Sequence, residues 1–241
     1  MRKTLKVLSA LLTYPTAELQ AAVPEMRVAL DREGCLPQHN RDRVDRILEE
    51  LATGDLYDLQ ERYVLLFDRT RSLSLHLFEH VHGESRDRGQ AMIDLKAQYE
   101  RAGLTPDATE LPDFLPLFLE YLATRPLKEA CETLVQPAHI LAALGERLRK
   151  RKSAYEAVFR ALVALSNAKP KDEEVSALLQ LPDPDATDLA ALDAAWEDEP
   201  VNFGPTAANS CKDGLIEKIR ASRRPAPGVV QAPSRPVLPR S

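Results

Sequence analysis

The sequence predicts an all-α fold: a single helical-bundle domain of short antiparallel helices over residues 1–170, then an acidic, later basic and proline-rich tail over 171–241 that is mostly disordered. Three observations carry this. Only 9 glycines and 5% aromatic residues occur, while Leu, Ala, Glu and Arg are frequent, a composition that favours helices and leaves little material for sheet turns. From residue 2 to about 168 one pattern recurs: a cap or proline, an apolar stripe at helical spacing, then a glycine or proline stop. Finally, 241 residues at 44% hydrophobic content fit one ordinary core plus an extension.

The opening run MRKTLKVLSALLTYPT reads as a first helix rather than a signal peptide, because lysines interrupt its apolar stretch and no A-x-A site follows. Leu19, Val23, Met26 and Leu30 form the next stripe before Gly34, with Pro24 expected to kink or split it. Val44, Ile47, Leu48 and Leu51 form another that stops at Gly54. Asp55 is placed to cap a helix carrying Leu56, Leu59, Tyr63, Leu66 and Phe67. Met92, Leu95 and Tyr99 run down to Gly103, Pro112 opens a helix through Leu122, and two more fit residues 138–150 and 154–167. Short connections imply antiparallel neighbours.

Residues 171–200 carry ten acidic side chains and one lysine, whereas 201–241 carry seven basic and two acidic ones. Nine of the 18 prolines lie beyond residue 170, and such a segment buries too little apolar surface to offset chain entropy, so disorder is expected, above all from about 221. Short helices are compatible with 172–180, 187–196 and 212–221. The net charge of -5 repels phosphate backbones and anionic lipid, which argues against nucleic acid. No run approaches the roughly 20 apolar residues of a membrane span, so no direct membrane insertion is expected. Cys35, Cys131 and Cys211 are widely separated and form no C-x-x-C pair, a usage that suits a reducing compartment.

Two clusters invite chemistry. The first, His76 to Gly89, holds three of the five histidines among carboxylates and arginines. On one helix His76 and His80 would share a face, and Glu84 would complete a metal site for a hydrolase. Against this, the general base expected between such histidines is misplaced, and Gly83 would end the helix before Glu84 aligns. Two other readings remain: a solvated face over inward Leu75, Phe78 and Val81, or a polar network ordering a helix junction or the rim of a peptide site. In the second cluster, a helical wheel from Pro112 gathers Leu111, Leu115, Phe118 and Leu122 as a core stripe. Asp113, Pro116, Leu117 and Glu120 then lie opposite, as the wall of a groove meeting an apolar, basic peptide. On that wheel Phe118 affects binding only through stability. The basic run Glu146 to Lys152 reads as a solvated helix end favoured by the dipole. No G-x-S-x-G, P-loop or G-x-G-x-x-G motif occurs, so no catalytic residues, metal or cofactor are expected.

Three blocks, Tyr63 to Thr70, His80 to Gln90 and Glu110 to Leu117, resemble the NarJ family of nitrate reductase molybdenum cofactor assembly chaperones. The resemblance covers roughly residues 3–168 and continues weakly from Trp196 to Phe203. The Glu-x-Pro-Asp element is shared more loosely with other molybdenum oxidoreductase chaperones, where histidine often stands at the position of Phe114. The resemblance implies an all-helical cytoplasmic chaperone without enzymatic activity. Its partner would be the N-terminal peptide of the apo catalytic (alpha) subunit of membrane-bound nitrate reductase, held competent for cofactor insertion until membrane docking. The client-peptide site would draw on Tyr63, Phe67 and Asp68 of the first block and on His80, His82, Glu84, Arg86 and Arg88 of the second. Glu110, Asp113, Phe114, Pro116 and Leu117 of the third, with Glu120 just beyond it, would complete it. A metal-dependent hydrolase and a generic helical scaffold are the alternatives.

Overall fold

The structure is a computed structural model that describes residues 1–82, 86–105 and 110–184, with the side chains of His82 and Arg86 also outside the description. Twelve α-helices lie in the described residues: α1 (Arg2–Leu11), α2 (Ala17–Ala21), α3 (Val23–Glu33), α4 (Gln38–Thr53), α5 (Leu56–Tyr63), α6 (Glu79–His82), α7 (Arg86–Arg101), α8 (Leu115–Thr124), α9 (Leu127–Val135), α10 (Ala138–Lys150), α11 (Glu156–Ser166) and α12 (Asp172–Leu179). Among those residues the only extended pairing is one antiparallel bridge between His76 and Phe114. The all-α reading therefore holds.

Local chemistry sets most boundaries. Pro24 splits its segment as expected, ending up in the first turn of α3, where the missing N–H leaves no bond unmade. Gly34 closes that helix in the left-handed region at φ 55°. Gly54 is required for another reason: a Cβ there would stand 2.7 Å from the Glu50 carbonyl oxygen. Asp55 caps α5 by accepting from Tyr57 N and Asp58 N. The carboxylate of Glu33 caps α1 from a distance, accepting from Lys3 N at 2.9 Å and from Thr4 N and Thr4 Oγ1 at 2.8 Å. Burial opposes its charge, but these bonds and the Met1 ammonium outweigh that and hold its pKa at about 2.

The core runs through the middle of the array. α10 and α11 pack on each other, α1 packs on α8 and α3, and α11 also meets α4 and α9. Leu8, Leu12, Leu48, Leu119, Leu141, Val158, Phe159 and Leu162 are fully buried there. The α5 helix continues into a π-turn over Val64–Asp68, which turns Phe67 inward and leaves Asp68 exposed.

Four features depart from the sequence reading. The helix expected from Pro112 begins at Leu115. A helix from Pro112 would need Pro116 to donate to the Pro112 carbonyl, which proline cannot do; that carbonyl instead accepts from Tyr99 OH at 2.7 Å. Second, α9 was not expected; its core stripe is only Ala130 and Leu134, too narrow to stand out, although Pro126 and Pro137 bracket it. Third, the short helix compatible with 172–180 forms as α12 and packs on α10, so the packed body runs past residue 170. Fourth, Arg147 in the basic run is 3% exposed rather than solvated. The segments 187–196 and 212–221, and the stretch from 221, lie outside the described residues.

Candidate client-binding site

The third sequence block pairs with the chain between the first two. Residues 74–78 run alongside 111–115, with Leu115 N donating to the Leu75 carbonyl at 2.8 Å and Leu77 N to the Asp113 carbonyl at 3.1 Å. Asp113 locks this junction. Its carboxylate is 0% exposed and accepts from Phe78 N at 3.0 Å and from His76 Nδ1 at 3.2 Å. The ring of His76 lies 5.4 Å from that of Phe114. The hydrogen bond to Asp113 pushes the His76 pKa up against the opposing effect of burial. His80 Nε2 sits 2.8 Å from the Ser74 carbonyl, and desolvation pushes its pKa down.

This geometry corrects the metal-site reading of the first cluster and the wheel of the second. His76 is in the bridge, not on a helix with His80, so the shared helical face that a two-histidine metal site needs does not form. Among the described residues no three of His, Cys, Asp and Glu converge on one point, and Glu84 lies outside them. Asp113 precedes α8 and points inward, while Leu111, expected in the core, is 48% exposed. Pro116 is buried, its carbonyl accepting from Ser9 Oγ of α1 at 2.8 Å. Of the expected outward wall, half-buried Leu117 and exposed Glu120 remain on the surface.

The other candidate residues divide between core and rim. Tyr63 and Phe67 are each 5% exposed; Tyr63 OH donates to the Leu12 carbonyl at 2.9 Å, and both rings pack with Tyr155. Asp68 is exposed, and desolvation raises its pKa, partly offset by His76. Arg88 pairs with Glu79 at 3.2 Å, and Glu110 is exposed. His82 and Arg86 keep only their backbone places, at the end of α6 and the start of α7.

Beside the junction opens a groove of about 350 Å³ between α7, α8 and α9. Leu77, Phe78, Leu95, Phe118 and Tyr121 supply its apolar lining, and Gln98, Arg101, Arg125, Glu129, Glu132 and Thr133 its polar one. Arg125 forks onto Glu129 at 2.8 and 3.0 Å and lies 5.8 Å over the Tyr121 ring. On α8 the groove follows Phe118, Tyr121 and Arg125, with Leu117 one step around the helix on its bank. Sequence reasoning missed this because it did not find α9, which forms one side. A second hollow of about 570 Å³, with Leu141, Gly145, Phe159 and Lys169 in its wall, lies away from the junction.

Comparison with known proteins follows the same line. The profile of the nitrate reductase delta subunit family matches residues 16–161. The chain is 46% identical over 212 residues to the nitrate reductase molybdenum cofactor assembly chaperone NarJ of Escherichia coli strain K12, covering 88% of this chain and 89% of that one. It is 41% identical over 216 residues to the probable nitrate reductase molybdenum cofactor assembly chaperone NarW of the same strain, covering 90% of each. Similarity to the probable chaperone NarJ of Bacillus subtilis strain 168 is 32% over 164 residues, covering 67% of this chain and 86% of that one.

Proposed function

Because this chain belongs to the nitrate reductase delta subunit family, we propose that it is a nitrate reductase assembly chaperone whose groove between α7, α8 and α9 takes the N-terminal segment of the apo catalytic subunit. It holds that subunit competent for molybdenum cofactor insertion in the cytoplasm and departs before membrane docking. It performs no chemistry on its client. The observation that carries this reading is the groove itself: an apolar lining of two aromatic-bearing α8 positions and the Leu77–Phe78 pair, edged by both charge signs. An amphipathic helix buries its apolar side in such a groove and sets its charges against the rim. Rim charges fix orientation and association rate more than affinity. Among the described residues no helix is long and apolar enough to cross a membrane, which suits a client-holding role away from the bilayer.

Co-expression with the catalytic subunit tests this. The chaperone is expected to co-purify with the cofactor-free subunit and to lose most of that yield when the subunit's N-terminal segment is deleted. Equal recovery of the truncated subunit would place recognition elsewhere on the client.

A further inference from the structure

Resting on that reading, we propose that α12 is a detachable strap: latched by Arg147, it holds the 70–78 strip and through it the groove lining in the client-binding form, so that its undocking releases the client. The α12 helix has no fully buried side chain; only Glu174, Val175, Leu178 and Leu179 are half-buried. Eight residues do not form a stable helix alone in water, so its docking rests on its polar fastenings as much as on apolar contact.

The main fastening is Arg147 of α10. Among the described residues no carboxylate lies within ion-pair distance of its guanidinium, although Asp183 acts on it from farther off. Its Nη1 donates to the Ser72 carbonyl at 2.6 Å, and its Nη2 to the Leu178 and Leu181 carbonyls at 2.7 and 3.2 Å. Leu178 stands in the last turn of α12 and Leu181 just past its end, the Leu178 carbonyl also accepting from Leu181 N at 3.2 Å, and a cation favours that end of the helix dipole. Burial of this guanidinium carries a desolvation cost that the nearby Asp183 charge offsets only in part. Among the described residues its Nε has no hydrogen-bond partner, and burial holds its pKa below the usual arginine range. Rehydration on undocking therefore recovers part of what the bonds lose, which keeps the latch near balance. A second clasp joins it, as Asp183 accepts from Ser72 Oγ at 2.6 Å and from Arg151.

Both clasps close on Ser72, and Ser72 belongs to the strip that forms the site. Two residues on, the Ser74 carbonyl meets His80 Nε2 at 2.8 Å, while Ser74 Oγ accepts from His76 N at 3.2 Å. The strip then bonds to Asp113 and Leu115 and delivers Leu77 and Phe78 to the groove. A shift of Ser72 when α12 leaves is thus passed along a short hydrogen-bonded stretch to the groove lining.

Hydrogen exchange of the full chain, with the dissociation rate of a synthetic client N-terminal peptide measured alongside, decides the matter. Leu178→Ala removes the α12 side chain packed against the core without placing a new charge beside Arg147, and Asp183→Asn weakens the second clasp from the surface. In Leu178→Ala, amides of 172–181 and of 71–78 are both expected to exchange about tenfold faster, and the peptide to leave about tenfold faster; Asp183→Asn is expected to move all three in the same direction by less. Faster exchange confined to 172–181, with 71–78 and peptide release unchanged, would overturn the coupling. No change in 172–181 would overturn the strap itself. Failure of the unmodified protein to bind peptide would count against the client reading instead, and the exchange data would still decide whether α12 governs the strip.

Discussion

Asp113→Ala is expected to lower the free energy of unfolding by about 3 kcal/mol, a large fraction of the stability of an ordinary domain. The carboxylate is 0% exposed, and its loss takes the acceptor from Phe78 N–H and the charge partner from His76. A buried donor deprived of its acceptor costs about 1–3 kcal/mol by itself. Asp113→Asn keeps one carbonyl for Phe78 and should cost less. The pH dependence separates the two contributions. Because Asp113 raises the His76 pKa, that pair contributes stability fully present below the ordinary histidine value of about 6.5 and lost as pH rises through the raised one. Denaturant unfolding across that window is expected to show a decline in the unmodified protein that Asp113→Asn flattens. An unchanged slope would mean that His76 is not held by Asp113.

Phe118→Ala is expected to have the larger effect, about 3–5 kcal/mol of stability, since a 6% exposed ring leaves a cavity among close-packed neighbours. Its second consequence departs from the sequence reading, in which Phe118 was core alone. Because the ring also lines the groove, the fraction that remains folded should bind client peptide roughly tenfold more weakly or worse. Leu117→Ala, on the bank rather than in the lining, should weaken binding only a few-fold. Calorimetric titration at a temperature where each variant is folded compares them. Full affinity in folded Phe118→Ala would remove that ring from the site.

The helices that were legible in the sequence are those whose signals are local. Asp55, Pro24 and Gly34 each act within a few residues, through a side-chain cap, a missing N–H and a left-handed backbone. The stripe Val44, Ile47, Leu48 and Leu51 is buried as its spacing requires. What stayed hidden depends on partners far along the chain. Asp113 looks like a surface carboxylate until Phe78 and His76, more than thirty residues earlier, are brought to it. Arg147 looks like one more cation at a basic helix end until Ser72 and Leu178 supply its acceptors. The groove needed α9, whose two buried side chains give no readable period. Of the residues in the three sequence blocks, His80, Asp113 and Phe114 build the junction beside the groove, while Tyr63 and Phe67 pack in the core.

Filling the groove tests its role most directly. Thr133 is a half-buried wall residue of α9, so Thr133→Trp adds bulk to the groove without removing a core group. Val135, 42% exposed on the same helix and absent from the groove lining, gives Val135→Trp as the matched control. Titrated with a synthetic N-terminal peptide of the catalytic subunit, Thr133→Trp is expected to lose at least about tenfold in affinity, or about 1.4 kcal/mol, while Val135→Trp binds as the unmodified protein does and both keep its melting temperature. Undiminished binding by folded Thr133→Trp would contradict the assignment of this groove to the client.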